Sequence, residues 1–275
     1  MKFLCLHGTD TNAEFLQMQL CTPTTIPPTH LTTPPHEISK HTNPPSLPPT
    51  AALTHELTQE KHTFHYLNGP LTSPTPYPGL ESFPGPFHRY YDRQQLDMSN
   101  LPSSFTHPNS DIKTPADWMR LLRSHNLDHD RTTSALDFVL KHMESSPEGP
   151  YDGIIGFSEG ALVAADVILH QQRHPPPATR LRVAIFISGA PAWDYDLHRS
   201  LLADETKQRI RVPSVSVIGK EDPIAGAARA LYELCEEGKR GLVEWEGGHG
   251  IPRGEAQGRM VQGVRRAINR ARMGG

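Results

Sequence analysis

Cysteine is scarce in this 275-residue sequence, which contains only Cys5, Cys21 and Cys235. The count is odd and no two of them form a CxxC pair, so a disulfide framework is not expected. Cys5 lies within an apolar run, where a buried and unreactive thiol is predicted. This cysteine usage is typical of a protein from a reducing compartment.

The sequence also lacks a strong excess of charge of either sign. Its formal net charge is −3, and no basic stripe stands out along the chain. The basic residues between Arg253 and Arg272 are spaced like the solvated face of a helix. Nucleic acid is therefore not expected as a partner.

Long hydrophobic runs are missing as well. No segment approaches the length of a membrane span, and the apolar run before His7 is too short for a secretory signal. We therefore expect a soluble, cytoplasmic protein that has no membrane partner.

Proline, in contrast, is abundant, and part of the excess is local. Nine of the 27 prolines fall in residues 22–50, which are also rich in threonine. Such a segment can form neither a helix nor a central strand, and it interrupts a helical pattern that begins after Asn12, a plausible N-cap. We expect a disordered insertion at 22–50 within a single domain spanning 1–275.

Strand-like and helix-like segments alternate along most of the chain. Several strands, such as 183–188, are almost continuous apolar runs, which is typical of a parallel sheet covered on both faces. The pattern predicts an α/β fold with a mostly parallel central sheet and helices on both faces. Strands are predicted within residues 2–8, 62–70, 151–157, 181–189, 214–219 and 241–247. Helices are predicted within residues 12–20, 51–60, 114–126, 132–145, 159–173 and 226–237, and from about 255 onwards.

Residues 68–110 form a long irregular stretch rich in proline, glycine, serine and aromatic side chains. A stretch of this kind inside a compact domain is usually a lid or a binding loop. Two interpretations of its aromatic residues remain open, since they could line a substrate pocket or pack at the edge of the core. The residues concerned are Phe83, Phe87, Tyr90 and Tyr91.

The segment Gly-Phe-Ser-Glu-Gly at 156–160 fits the G-x-S-x-G pattern. It follows a predicted strand and opens a predicted helix, which is the setting of a nucleophile elbow. That turn strains the backbone of the serine and brings strand and helix so close that the neighbouring residues must be small. The pattern favours Ser158 as a nucleophile, with Gly156 and Gly160 providing the space.

A serine hydroxyl needs a base, and the base needs an acid that orients it. Asp222 and His249 both follow Ser158, and each lies just past the end of a predicted strand, in the order serine, acid, histidine that this architecture requires. Glu221 is the rival acid by adjacency. Asp222 is preferred because it lies further into the loop and precedes a proline.

The negative charge that develops during acyl transfer needs hydrogen-bond donors. One predicted donor is the backbone N–H of Glu159, at the start of a helix where the dipole favours negative charge. The second should come from the loop after the first strand. The N–H of Thr9 is the first choice and that of Asp10 the next, while His7 is expected to support the loop.

Taken together, these segments resemble the fungal serine hydrolase family of the α/β-hydrolase superfamily. The resemblance rests on KFLCLHGTDTN, FPGPFHRYYD, YDGIIGFSEGA, AIFISGAP, VPSVSVIGKEDP and EGGHGIPR, which follow the order of the family. It implies an α/β-hydrolase fold and a Ser158–Asp222–His249 triad, with no metal and no organic cofactor. Some members release a polyketide from its acyl carrier protein by thioester hydrolysis, whereas others are esterases of uncertain substrate.

Three functional hypotheses follow. The first is a thioesterase that unloads an acyl chain from the acyl carrier protein of a polyketide synthase in secondary metabolism. The second is a general carboxylesterase that acts on small esters. The third is a binding protein that keeps the hydrolase fold with an inactive site.

Overall fold

The computed structural model describes residues 1–21, 52–92, 112–125, 127–128, 131–175 and 180–274. The predicted disordered insertion at 22–50 lies outside these described residues. A six-stranded sheet, in the spatial order β10-β9-β6-β5-β1-β2, forms the centre of the molecule, and all its neighbouring strands run parallel. The six strands are β1 (Lys2–Leu6), β2 (Thr63–Leu67), β5 (Gly153–Phe157), β6 (Val183–Ile187), β9 (Ser214–Gly219) and β10 (Arg240–Trp245).

Two short antiparallel pairs lie outside the main sheet, and the sequence pattern did not predict them. They are β3 (Leu71–Thr72) with β4 (His88–Arg89), and β7 (Trp193–Asp194) with β8 (Arg199–Ser200). Strands of two residues carry no readable alternation, which is why sequence reasoning missed them.

Seven α-helices flank the sheet within the described part of the chain. They are α1 (Ala13–Cys21), α2 (Leu53–Gln59), α3 (Pro115–Ser124), α4 (Ser134–Ser145), α5 (Glu159–Arg173), α6 (Ala225–Leu234) and α7 (Gly254–Arg272). None of the helices in the described ranges is both long and apolar enough to cross a lipid bilayer.

The apolar side chains of the central strands are buried on both faces of the sheet. On β5, Ile154 and Ile155 are each fully buried but belong to separate core clusters, because successive side chains of a strand point to opposite faces. Ala184 and Ile185 of β6 divide in the same way. The parallel sheet with covered faces that the sequence predicted is therefore confirmed.

Local capping signals set several of the predicted helix starts. The Asn12 side chain accepts a hydrogen bond of 2.8 Å from the Phe15 N–H at the start of α1. Thr114 caps α3 through the Asp117 N–H, and Pro115 occupies the first helical position. Helix α5 has the predicted bounds.

The described chain stops at the end of α1 and resumes just before α2, and these two helix ends lie in contact. The Thr54 hydroxyl donates to the Leu20 carbonyl at 3.0 Å, and its oxygen lies 2.9 Å from Cys21 Sγ. The end of α1 and the start of α2 are thus held together by hydrogen bonds of Thr54.

Candidate active site

Ser158 lies at the tight turn between β5 and α5. Its backbone has φ +55° and ψ −119°, a left-handed conformation that strains a residue with a side chain. A Cβ atom added to Gly160 would lie 2.3 Å from the Leu6 carbonyl oxygen, and one added to Gly156 would lie 2.4 Å from Ala161 Cα. Both glycines are therefore required by the close passage of strand and helix, as the sequence predicted.

His249 is carried by a glycine-rich loop that follows β10. The loop folds tightly over the end of β9, where a Cβ atom added to Gly219 would lie 2.3 Å from the Gly248 carbonyl oxygen. At Gly247 a Cβ atom would meet the Trp245 ring at 2.1 Å, so this position also needs glycine. These contacts bring the imidazole from the edge of the sheet back to Ser158.

Three side chains form a continuous line of hydrogen bonds. His249 Nε2 lies 2.9 Å from Ser158 Oγ, and His249 Nδ1 lies 3.1 and 3.0 Å from the two carboxylate oxygens of Asp222. The Asp222 side chain is fully buried and also accepts the Ile224 N–H at 2.9 Å. Glu221, the rival acid, is exposed to solvent.

This arrangement fixes the direction in which a proton can move. The buried carboxylate of Asp222 accepts a hydrogen bond from the Nδ1–H of His249, which leaves Nε2 as an acceptor facing the serine hydroxyl. In this geometry His249 Nε2 faces the proton of Ser158, and the charge of Asp222 lies where it would stabilise an imidazolium.

The two predicted oxyanion donors lie beside the serine. Thr9 and Glu159 line the same cavity as Ser158. The loop after β1 passes close to the turn, since a Cβ atom added to Gly8 would lie 3.1 Å from Ser158 Cβ. Asp10, the alternative donor, does not line this cavity, and its carboxylate accepts the Ser73 hydroxyl at 2.5 Å.

A cavity of about 190 Å³ opens directly onto Ser158. Its wall is mostly apolar and comes largely from α3, α5 and α6. The apolar residues that line it include Trp118, Met119, Leu122, Leu127, Leu162, Ala190, Pro223, Ile224 and Ala227. A space with this lining suits the hydrocarbon part of an acyl group.

The predicted substrate contacts of the irregular stretch are wrong for this cavity, because none of the four aromatic residues lines it. Tyr90 and Tyr91 are buried in the core, where Glu159 accepts the Tyr90 N–H and Asp166 accepts the Tyr91 hydroxyl. Phe83 packs edge-on against Phe15, with 5.1 Å between ring centroids. Phe87 contributes a backbone carbonyl to the Ser73 N–H. The interpretation of core packing therefore holds for the two tyrosines.

Sequence reasoning missed the residues that do form the cavity. Trp118 comes from α3, which crosses α6 at Gly226, where an added Cβ atom would lie 2.4 Å from the indole ring. The prediction of a helix within residues 114–126 carried no signal of which of its side chains would border the cavity.

Tyr77 was also missed, and it borders two spaces. It lines the apolar cavity and a second cavity of about 180 Å³ that also reaches Ser158 and His249. The second cavity is walled by Phe15, Leu80 and neighbouring residues. Burial, followed by the charge of Asp222, raises the pKa of the Tyr77 phenol, so its hydroxyl keeps its proton.

Charged side chains occupy part of the apolar cavity wall. Arg131 is almost fully buried, donates to the Pro191 carbonyl at 3.0 Å and lies 4.9 Å from the centroid of the Trp193 ring. Asp128 beside it accepts the Ser200 hydroxyl at 2.7 Å. Within the described ranges, no group of three or more His, Cys, Asp or Glu side chains is placed to hold a metal ion.

Comparison with known protein families gives a match over most of the chain. Residues 49–261, which include all three hydrogen-bonded side chains, match the family described as serine hydrolase (FSH1). Esterase FPY3 of Fusarium mangiferae is 27% identical over the full length of both chains. Esterase pigG of Monascus ruber is 29% identical over 48% of this chain and 63% of its own.

Comparison with solved structures gives the same fold. The crystal structure of esterase PE8 matches 97% of this chain and 92% of its own, with a TM-score of 0.50 and 16% identity. Zea mays acyl-protein thioesterase 2 matches 98% and 94%, with a TM-score of 0.50 and 15% identity. At this level of identity the likeness concerns the α/β-hydrolase fold alone.

Proposed function

The chain belongs to the serine hydrolase (FSH1) family, and from that premise we propose that Ser158, His249 and Asp222 are the catalytic triad of an enzyme that cleaves carboxylic esters or thioesters. The observation that carries this proposal is the line of hydrogen bonds from Asp222 through His249 to Ser158. It ends at a serine in a strained turn that opens onto an apolar cavity.

In the first half of the reaction, Ser158 Oγ attacks the carbonyl carbon while His249 Nε2 takes its proton. The resulting oxyanion accepts hydrogen bonds from the backbone N–H groups of Glu159 and Thr9. When the intermediate collapses, the alcohol or thiol leaves with the proton from His249, and the acyl group stays on the serine.

In the second half, His249 removes a proton from a water molecule that attacks the acyl-enzyme. The proton then returns to Ser158 Oγ, and the carboxylic acid leaves. Asp222 keeps its charge throughout and holds the imidazole in one tautomer. No step of this sequence needs a metal or an organic cofactor.

The substrate that we propose is an acyl thioester carried by an acyl carrier protein, released in fungal secondary metabolism by a cytoplasmic enzyme. The resemblance to fungal serine hydrolases supports this choice, as does the apolar wall of the cavity. The alternative is a general carboxylesterase, and the modest volume of about 190 Å³ favours it because a short acyl group would fill the cavity.

Two measurements test the proposal. A fluorophosphonate probe should label the protein, and the labelling should be lost in Ser158→Ala; absence of labelling in the unaltered protein would count against the triad. Hydrolysis of one acyl group is then compared as a nitrophenyl ester, as an N-acetylcysteamine thioester and on an acyl carrier protein. Fast turnover of short esters without turnover of carrier-bound thioesters would favour the carboxylesterase.

A further inference from the structure

The carbonyl oxygen of Gly8, in the loop after β1, is held from two sides. The Thr11 hydroxyl donates to it at 2.7 Å, and His7 Nδ1 lies 2.7 Å from the same oxygen. The two side chains also meet, with 3.2 Å between His7 Nδ1 and Thr11 Oγ1. Both residues are buried, so water does not compete for these bonds.

The opposite side of the imidazole fixes its tautomer. His7 Nε2 accepts the Gly69 N–H at 2.9 Å, so the ring proton resides on Nδ1 and is donated to the Gly8 carbonyl. Burial lowers the pKa of His7 to about 4, so the ring is neutral at neutral pH. The neutral imidazole has one donor, which meets the Gly8 carbonyl, and one acceptor, which meets the Gly69 N–H.

A planar trans peptide ties this carbonyl to the next N–H group. The C=O of Gly8 and the N–H of Thr9 belong to one peptide unit and point in opposite directions. Fixing the carbonyl therefore also fixes the N–H. Thr9 lines the cavity at Ser158, and among the described residues no hydrogen bond uses its N–H.

The rest of the loop is braced by the segment that follows β2. The Tyr77 N–H donates to the Asp10 carbonyl at 2.8 Å, and the His88 N–H donates to the Thr11 carbonyl at 2.6 Å. The Ser73 hydroxyl holds the Asp10 carboxylate. With the following residues held in this way, the Gly8–Thr9 peptide has little freedom to rotate.

We propose that His7 and Thr11 are positioning residues that aim the Thr9 N–H at the oxyanion formed on attack by Ser158. The inference rests on the proposed function, since it presupposes Ser158 as the nucleophile. The two side chains act through the Gly8–Thr9 peptide, and their contribution grows as negative charge develops on the substrate oxygen.

The experiment compares Thr11→Val with Thr11→Ser. Valine keeps the shape but removes the donor to Gly8, and loss of a whole oxyanion donor costs about 100-fold to 1000-fold in turnover. We expect Thr11→Val to lose roughly 10-fold to 100-fold in kcat, with KM within about 2-fold. Thr11→Ser keeps the hydroxyl and should restore kcat to within about 3-fold.

A trifluoromethyl ketone inhibitor separates positioning from mere packing. Its adduct with the serine carries the oxyanion, so its Ki should rise in Thr11→Val in parallel with the fall in kcat/KM. The Ki of the carboxylic acid product should stay within about 2-fold. The matched control is Thr54→Val, a buried threonine whose hydroxyl bonds the Leu20 carbonyl and which lines neither cavity at Ser158; it should change neither kcat nor this Ki.

Each outcome has one meaning. If activity depends on Ser158 but Thr11→Val keeps full kcat and inhibitor affinity, the inference fails while the proposed function stands. If Ser158→Ala keeps its activity, the proposed function itself fails. If Thr11→Val does not fold, His7→Asn and His7→Leu test the same inference. Asparagine retains a donor near the Nδ1 position, so the kcat of His7→Asn should exceed that of His7→Leu. Equal kcat values would overturn the inference.

Discussion

His249 Nδ1 lies at nearly equal distances, 3.1 and 3.0 Å, from the two carboxylate oxygens of Asp222. Replacing Asp222 by asparagine would present an amide N–H to the imidazole and favour the wrong tautomer. We expect Asp222→Asn to reduce kcat by about 10⁴-fold. The matched control is Glu221→Gln on the adjacent exposed residue, which should retain kcat within about 2-fold. The reverse result would make Glu221 the catalytic acid.

The close passage of α5 over β1 predicts a stability effect at the elbow. In Gly160→Ala the new methyl group would meet the Leu6 carbonyl at 2.3 Å, and neither the Cβ atom nor the backbone carbonyl can rotate away. We expect the free energy of unfolding to fall by about 3 kcal/mol, measured by urea denaturation. Gly238→Ala, where nothing lies within 4 Å of an added Cβ atom, should change it by less than about 0.5 kcal/mol. Equal effects would contradict the packing described at the turn.

The apolar cavity predicts which substitutions change acyl-chain preference. Ala227→Leu adds bulk to the cavity wall, so kcat/KM for octanoyl esters should fall about 10-fold relative to that for acetyl esters. Leu122→Ala enlarges the same space and should shift the ratio in the opposite direction. Phe83→Leu, outside the cavity, should leave the ratio unchanged. A shift caused by Phe83→Leu alone would place the acyl group in the irregular stretch instead.

The lowered pKa of His7 predicts a pH dependence of stability. Between its ordinary value near 6.5 and about 4, the unfolded chain binds a proton that the folded chain does not. Stability is therefore complete above about pH 6.5 and declines as the pH falls towards 4, by about 3 kcal/mol. In His7→Asn this part of the decline should disappear. Parallel curves of unfolding free energy against pH for the two proteins would contradict the assignment.

Features set by neighbouring residues could be predicted from the sequence. Asn12 was identified as a cap because a cap bonds an N–H only three residues away. The bounds of α5 followed from the glycine turn before it and the apolar pattern after it. A general rule predicted that three further residues lie close together, since the carboxyl ends of parallel strands meet at the same edge of a sheet. They are Ser158, Asp222 and His249.

The substrate cavity could not be predicted in this way, because it depends on contacts between distant segments. For Tyr90 the sequence left pocket lining and core packing open, and the structure shows a buried residue whose N–H donates to the carboxylate of Glu159, 69 positions away in the sequence. No sequence pattern singled out Trp118, which borders the cavity where α3 crosses α6. Hydrophobic patterns report which side chains turn inward, but not which of them border a cavity.

The contact between Thr54 and the end of α1 bears on how this hydrolase can be engineered. Because the Thr54 hydroxyl donates to the Leu20 carbonyl, the end of α1 and the start of α2 are held beside each other by residues of the described fold. When the two attachment points of a loop are already held together, the entropic cost of lengthening the loop rises only slowly with its length. We therefore expect the junction between α1 and α2 to tolerate the insertion of a foreign peptide, a fluorescent reporter or a whole domain.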